Sequence, residues 1–288
     1  MKNKILVVGA TGQLGFDLMR AFGDEAHGLS HQDLEITHQE NVRDLFSKLR
    51  PDIVINAAAI VRTEWCENNP EDCFRVNTLG AYHIARAANE IGAKVVFFST
   101  DYVFDGSKEE FDEDSQLNPL NIYGASKASA ENLVAIANAH HWIIRCGWLF
   151  GYQLSHKGHD FPRLMLKKAT EQSEVRVVND QFGCPTYTKD LSHKVREMIK
   201  RPVPYGIYHV SNQGMCSWFD WAKEVFACQK IPTPLIAIST SDSDSKIQRP
   251  QRTVLKNRKL QDMGISLLRR WELALAEYFA ELEDDTSA

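Results

Sequence analysis

The chain has 288 residues, of which 43% are hydrophobic, so it can bury a large core as one large domain or two smaller ones. Its net charge of -5 and pI of about 6.1 give no general attraction to nucleic acid or anionic lipid. No apolar stretch approaches the roughly 20 residues needed to span a bilayer, so neither nucleic acid nor membrane is an expected partner and a cytoplasmic protein is predicted.

The first half of the chain alternates short apolar runs with helical patterns. Strands rich in Val, Ile and Phe are predicted at residues 4–9, 52–59, 94–100 and 141–146. Helices are predicted at residues 13–22, 39–49, 71–91 and 122–138. Strands and helices that alternate in this way form parallel sheets with right-handed crossovers. The predicted fold class is therefore α/β, a Rossmann-like doubly wound parallel sheet.

The regular alternation ends near residue 150. Helices are predicted at residues 160–172, 218–228 and 267–282, with a strand at 206–211 and a polar loop or ordered lid at 239–245. We therefore predict a dinucleotide-binding domain at residues 1–150, rejoined by segments near 175–212. Residues 151–288 are expected to form mainly a smaller substrate-binding lobe.

The six cysteines show no C-x-x-C pair and no histidine at metal-ligand spacing. Reduced, mostly buried thiols are therefore expected, and no metal site is predicted.

The stretch "VVGATGQLG" places Gly9, Gly12 and Gly15 between the first strand and the first helix. Glycines at such a turn let the backbone approach a pyrophosphate, and the helix N-terminus attracts the anion. The spacing G-x-x-G-x-x-G differs from the common G-x-G-x-x-G, and an ordinary glycine-rich turn is the alternative. The position after the first strand favours a dinucleotide site.

The stretch "HGLSHQDLEIT" at residues 27–37 bears on the choice of cofactor, because it corresponds to the end of the second strand in the common dinucleotide-binding fingerprint. In the common fingerprint an acidic residue there binds the adenosine ribose, whereas this chain has Ser30 and His31. The absent carboxylate favours NADP(H), with NAD(H) possible. Asp33 and Glu35 could still reach the adenosine, or lie on a solvated loop.

Tyr123 and Lys127 are four residues apart at the start of a predicted helix, so they share one face. Thr100 ends a central strand, at the edge where open α/β sheets bind ligands. A phenol has a pKa of about 10, and a nearby ammonium is expected to lower it toward a useful range. These three residues are predicted to form a catalytic acid/base group. A Y-x-x-x-K pair alone would also fit exposed surface residues without a function.

Together, "GATGQLG", "NAAA", "STDYVFDG", "YGASK", "DQFGCPT" and "RPQRTVL" resemble the dTDP-4-dehydrorhamnose reductase family of the extended short-chain dehydrogenase/reductases. The resemblance extends from Gly9 to Leu255. It implies Thr100, Tyr123 and Lys127 as catalytic residues and Thr100, Asp101, Trp148 and Arg249 as substrate-binding residues. The cofactor-binding residues expected on this basis are Gly9, Thr11, Gly12, Gln13, Leu14, Gly15, Ser30, Glu35, Ile36, Ala58, Ala59, Tyr123 and Lys127.

Several of these residues have a structural alternative. Trp148 could belong to the core, and Arg249 belongs to a basic run that could be a solvated face. Trp218 and Trp221, after the predicted N-cap Ser217, are interpreted as helix packing.

The chain also departs from the family. It has "VRTEWCE" at residues 61–67 where T-x-V-D-x-A/C-E is common, "RCGW" in place of R-T-S-W, and Asp160 where asparagine is usual. The catalytic group is unaffected, but the identity of the sugar is put in doubt.

The function implied by the resemblance is NAD(P)H-dependent reduction of a nucleotide-linked 4-keto-6-deoxy sugar, most simply dTDP-4-dehydro-L-rhamnose. A homodimer is possible. One alternative is a non-catalytic NADP-binding regulator similar to the regulatory subunit of methionine adenosyltransferase. Another is a different sugar-nucleotide reductase or epimerase. A dehydratase would resemble T-D-E, whereas this chain has Thr100, Asp101 and Tyr102.

Overall fold

The computed structural model describes residues 4–154 and 158–286. Its strands are β1 (Ile5–Val8), β2 (Ala26–Leu29), β3 (Ile53–Asn56), β4 (Lys94–Thr100), β5 (His141–Cys146), β6 (Leu149–Phe150), β7 (Val175–Val178), β8 (Phe182–Gly183), β9 (Thr186–Tyr187), β10 (Gly206–His209), β11 (Cys216–Ser217) and β12 (Leu235–Ile238). Its α-helices are α1 (Gln13–Phe22), α2 (Gln39–Leu49), α3 (Thr63–Asn68), α4 (Pro70–Phe74), α5 (Ala81–Glu90), α6 (Ile122–Ala137), α7 (Phe161–Glu171), α8 (Thr188–Lys200), α9 (Trp218–Cys228), α10 (Arg258–Asp262) and α11 (Trp271–Thr286).

Six strands form the central sheet in the order β10-β5-β4-β3-β1-β2, and every neighbouring pair is parallel. The strands are short apolar runs because helices cover both faces of the sheet. Along β1, Ile5 and Val7 pack toward α1 and α8, while Leu6 and Val8 pack toward α2, α5 and α6. The predicted Rossmann-like α/β fold is confirmed.

The predicted helix at residues 71–91 is divided into three parts. A π-helical segment, Arg75–Gly80, joins α4 to α5. Such segments interrupt the regular helical hydrogen bonds and often lie near functional sites. The apolar periodicity of the sequence does not distinguish this segment from an α-helix.

The second half of the chain contributes to two regions. Leu191 and Val195 of α8 pack in the same core as β1, and β10 forms an edge of the central sheet. Another core gathers α7, α9 and α11 around Trp221 and Tyr278, beside the parallel pair of β7 and β12. The division at residue 150 stays a prediction.

The last helix begins later than predicted, because residues before it pair with another loop. The N–H of Gln213 donates to Arg269, and the N–H of Trp271 donates to the carbonyl of Gln213. The chain therefore stays extended up to Arg270. Within the described ranges, every helix is too short or too polar to cross a membrane.

Candidate active site

A cleft of about 1630 Å³ opens where the sheet strands end. The last residues of four strands line it, namely Val8, Asn56, Thr100 and Cys146. This is the edge at which open α/β sheets bind ligands. The cleft also extends over α7, α9 and the segment that contains Arg249.

The glycine-rich turn has the conformation that the sequence predicts. Gly9 has φ of +83°, and a Cβ there would lie 2.8 Å from the backbone nitrogen of Ala58. A Cβ on Gly15 would lie 2.1 Å from the carbonyl oxygen of Gly9, so this glycine allows α1 to approach the turn. The first turn of α1 has no acidic residue, and its N-cap Gly12 provides no side-chain cap. Its N–H groups are therefore suited to an anion.

The predicted cofactor residues come together along one wall of the cleft. Gly15 does not line the cleft, and its role is the packing just described. Two buried side-chain nitrogens on this wall, Nε2 of Gln13 and Nδ2 of Asn56, have no hydrogen-bond partner. Unpaired buried donors of this kind fit a polar ligand such as a dinucleotide. The residues that line the wall are Gly9, Thr11, Gly12, Gln13, Leu14, Ser30, Glu35, Ile36, Ala58 and Ala59.

The region after β2 contains Asp33 and Glu35, the two acidic residues that the sequence left as candidates to reach the adenosine. The backbone N–H and the hydroxyl of Ser30 donate to Asp33 over 2.8 and 2.6 Å. His31 lies 3.5 Å from the carboxylate of Glu35, which lines the cleft. The absence of an acid at positions 30 and 31 therefore does not leave this part of the cleft free of carboxylates.

Tyr123 and Lys127 lie on the first turns of α6, at the base of the cleft. The helix begins at Asn121, whose side chain accepts a hydrogen bond of 2.9 Å from the N–H of Gly124. A Cβ on Gly124 would lie 2.2 Å from the carbonyl oxygen of Tyr102, so the helix start packs directly against the loop after β4. This close approach brings Tyr123 within hydrogen-bonding reach of Thr100.

Burial is the largest influence on the pKa values of Tyr123 and Lys127. It raises the pKa of Tyr123, although the hydrogen bond with Thr100 lowers it. It also lowers the pKa of Lys127 to about 8. The sequence led us to expect a phenol whose pKa is lowered by Lys127, whereas burial raises the pKa of Tyr123 and Lys127 is not among the groups that shift it. Tyr123 is therefore a protonated acid at neutral pH.

Asp101 follows Thr100, a predicted catalytic residue, and is 3% exposed. The hydroxyl of Thr100 donates to its carboxylate over 3.0 Å, and burial raises its pKa to about 6. A Cβ on Gly147 would lie 2.4 Å from the carboxyl carbon of Asp101. The glycine in "RCGW" therefore provides the space that this carboxyl occupies.

Trp148 combines a cleft position with core packing. Its ring stacks on Trp218 with centroids 3.6 Å apart and planes 6° apart, and both side chains line the cleft. The backbone of Trp148 has φ of +52°, which is unusual for a large side chain. Gly183 permits this arrangement, because a Cβ there would lie 2.3 Å from the indole.

Arg249 lines the cleft and forms an ion pair with Glu64, one of the departures from the family. Arg252, in contrast, does not line the cleft, and its guanidinium lies 4.8 Å from the ring centroid of Phe182. The structure therefore separates two arginines that the basic run in the sequence does not distinguish.

Some lining residues were not predicted. Trp218 was interpreted as packing alone, and Lys168 and Arg176 on the outer wall were not considered. Their positions depend on how α7, α9 and β7 pack together, and no motif or residue spacing in the sequence indicates that packing. Within the described residues, no group of three or more His, Cys, Asp or Glu side chains could hold a metal ion.

The fold and the cleft are those of the extended short-chain dehydrogenase/reductase class. A family model described as the RmlD substrate binding domain matches residues 2–284. The chain is 40% identical to the spore coat polysaccharide biosynthesis protein SpsK of Bacillus subtilis, covering 96% of this chain and 97% of SpsK. It is 33% identical to dTDP-4-dehydrorhamnose reductase of Escherichia coli, covering 98% of this chain and 99% of that protein.

A crystal structure of dTDP-4-dehydrorhamnose reductase from Bacillus anthracis in complex with NADP is also similar. It superposes with a TM-score of 0.93 at 34% identity, covering 98% of this chain and 100% of that one. The chain belongs to the RmlD substrate binding domain family. The predicted family and the predicted class, an NAD(P)-dependent oxidoreductase, are confirmed.

Proposed function

We propose that the chain reduces the C4 keto group of a nucleotide-linked 4-keto-6-deoxy sugar, with dTDP-4-dehydro-L-rhamnose as substrate and dTDP-L-rhamnose as product. The observation that carries this proposal is the position of Thr100, Tyr123 and Lys127 in the same cleft as the glycine-rich turn. The names of the Escherichia coli and Bacillus anthracis relatives support the sugar nucleotide.

Tyr123 acts as the general acid. Because burial raises its pKa, the phenol holds its proton at neutral pH, as reduction of a ketone to an alcohol requires. Thr100 donates to Asp101 and lies close enough to the phenol to affect its pKa, so its hydroxyl is placed to orient the substrate oxygen toward Tyr123. The proton then moves from the phenol to the oxygen that becomes the C4 hydroxyl.

Lys127 holds a positive charge beside the acid. Its ammonium lies 4.1 Å from the ring centroid of Phe97 and is buried beneath the cleft. With a pKa of about 8, it is mostly charged at neutral pH and stabilises negative charge that develops on the phenol. It can also donate a hydrogen bond to a ribose hydroxyl.

We propose NADPH as the preferred cofactor, with NADH accepted. When bound, it supplies the hydride that is added to C4. The glycine-rich turn and the N-terminus of α1 would hold its diphosphate, and Ala58 and Lys127 would lie toward its nicotinamide end. Glu35, on the same wall, is available to the ribose hydroxyls of NADH.

The residue after Asp101 argues against a dehydratase. Elimination of water would need a second carboxylate, and Tyr102 occupies that position. Its phenol is neutral, because burial raises its pKa. Reduction needs a single proton donor, which Tyr123 supplies.

Arg249 is proposed to bind the diphosphate of the substrate, and Trp148 to pack against the sugar. A guanidinium forms strong, directional bonds with phosphate oxygens. All six cysteines are free thiols, which supports the predicted cytoplasmic location, since reducing compartments keep thiols unpaired. A homodimer stays a prediction.

The test is to follow loss of NADPH absorbance when the purified chain is mixed with dTDP-4-dehydro-L-rhamnose. We expect stoichiometric formation of dTDP-L-rhamnose. Turnover of a different dTDP-4-keto-6-deoxy sugar alone would change the substrate but keep the chemistry. Tight NADPH binding with no turnover of any keto sugar would refute the proposal and favour the regulatory alternative.

A further inference from the structure

The ion pair between Glu64 and Arg249 crosses the cleft between two distant parts of the chain. Glu64 lies on α3, and Arg249 lies on the segment before α10. Both side chains line the cleft, and both act on Tyr102 beneath them. Burial raises the pKa of Tyr102, the charge of Arg249 lowers it and the charge of Glu64 raises it. The pair therefore lies near Tyr102, two residues after Thr100 in the same cleft.

The backbone on either side of Arg249 is held in place. The side chain of Asn121 donates to the carbonyl oxygen of Gln248 over 3.2 Å. The N–H of Phe182 donates to the carbonyl oxygen of Gln251 over 2.7 Å. Arg249 can thus exchange its partner by a movement of its side chain alone. Asn121 is also the N-cap of α6, the helix that carries Tyr123, so the segment of Arg249 is attached to the start of that helix.

Arg249 has a donor to spare. Its Nε is buried without a hydrogen-bond partner, whereas its Nη2 bonds to Glu64. A guanidinium presents planar N–H donors that can bind two oxygens of a phosphate at once. Glu64 bonds to Nη2 of this group and leaves Nε unpaired. An incoming anion would satisfy the buried Nε.

Glu64 is the more replaceable member of the pair. Its side chain is 62% exposed, against 25% for Arg249, and its second oxygen accepts a hydrogen bond of 3.1 Å from Thr63. A largely exposed carboxylate is well hydrated, so its ion pair with Arg249 contributes little net stabilisation. The carboxylate would also repel a diphosphate bound beside it.

We propose that Glu64 is the counter-ion of Arg249 that the diphosphate of the substrate displaces, and that this competition limits the affinity of the site for the diphosphate. The inference rests on the proposed function, in which Arg249 binds that diphosphate. A ligand with fewer charges gains less from the guanidinium and therefore loses less when Glu64 occupies it. Glu64 thus lowers the affinity most for a diphosphate and less for a monophosphate.

The experiment measures binding of dTDP and dTMP to the full chain by titration calorimetry. Glu64→Gln should tighten dTDP binding about two- to fivefold, which corresponds to ~0.4–1 kcal/mol at about 1.4 kcal/mol per factor of ten. The gain should be smaller for dTMP, which has fewer charges, and both gains should shrink in high salt. Glu71→Gln is the matched control, since Glu71 is exposed and does not line the cleft, and it should leave both affinities unchanged.

A double-mutant cycle tests whether the effect passes through Arg249. In an Arg249→Gln background, Glu64→Gln should no longer tighten dTDP binding. Weaker or unchanged dTDP binding by Glu64→Gln, an equal gain without Arg249, or an equal gain from Glu71→Gln would each overturn the inference. If dTDP does not bind the unmodified chain, the proposed substrate class itself is wrong, and the inference falls with it.

Discussion

Replacement of Tyr123 with Phe removes the proposed proton donor and little else. The ring keeps its place, edge-on to Tyr102 with centroids 6.1 Å apart. Only the hydrogen bond with Thr100 is lost, which costs about 0.5–1.5 kcal/mol of folding stability. Turnover should fall about 10²–10⁴-fold, or ~2.7–5.4 kcal/mol of transition-state stabilisation, the usual contribution of a positioned general acid.

The assay follows oxidation of NADPH by the 4-keto sugar nucleotide, with cofactor affinity measured separately. Cofactor affinity should change little, because the phenol proton is needed only in the chemical step. Tyr102→Phe is the matched control, since it removes a neighbouring buried phenol, and it should lower turnover by less than about tenfold. Near-normal turnover of Tyr123→Phe would refute the mechanism.

Three further predictions address the remaining parts of the site. First, kcat/KM should fall as the pH rises through about 8, because Lys127 loses its charge there while Tyr123 stays protonated. In a steady-state pH profile, Lys127→Arg should move this fall in kcat/KM to higher pH. Second, Ser30→Asp should shift the ratio of kcat/KM values from NADPH toward NADH by about tenfold, since an added carboxylate repels the 2′-phosphate. Strict NADH use by the unmodified chain would show that the end of β2 was interpreted wrongly. Third, Arg249→Ala should raise KM for the sugar nucleotide about tenfold with little change in kcat, since a charge-assisted bond contributes about 1.5–3 kcal/mol and Arg249 is partly exposed. Equal, small effects of Arg249→Ala and Arg252→Ala would place the diphosphate elsewhere.

The four inner strands of the central sheet, β1, β3, β4 and β5, were predictable because they are buried on both faces, whereas the partly exposed edge strand β2 was not among the predicted strands. Runs such as "ILVV" in β1 and "IVIN" in β3 need no partner information to be identified as strands. The short strands β7 and β12 were missed, because each has four residues and each carries exposed side chains, such as Arg176 and Ile236. Their pairing depends on the packing of α7 and α9 around them.

The site was predictable where one local pattern carries the chemistry. Tyr123 and Lys127 share a helix face, and Gly9 follows a strand, so spacing alone indicates their positions. The direction of the Tyr123 pKa shift was not predictable, since it depends on how deeply the loop after β4 and the start of α6 bury the phenol. The same is true of Glu64, whose partner is 185 residues away.

A buried ion pair joins the elements that carry the proposed catalytic residues. Glu131 lies one turn after Lys127 on α6 and accepts hydrogen bonds of 2.9 and 2.7 Å from Arg145 of β5. It also accepts one from the hydroxyl of Ser99, the residue before Thr100. Both members of the pair are 2% exposed, so desolvation offsets most of their attraction, and the net gain in stability is small. Removal of one partner would nevertheless leave an unpaired buried charge. The pair therefore acts mainly as a geometric constraint that joins α6, β4 and β5, the three elements that carry or adjoin the catalytic residues.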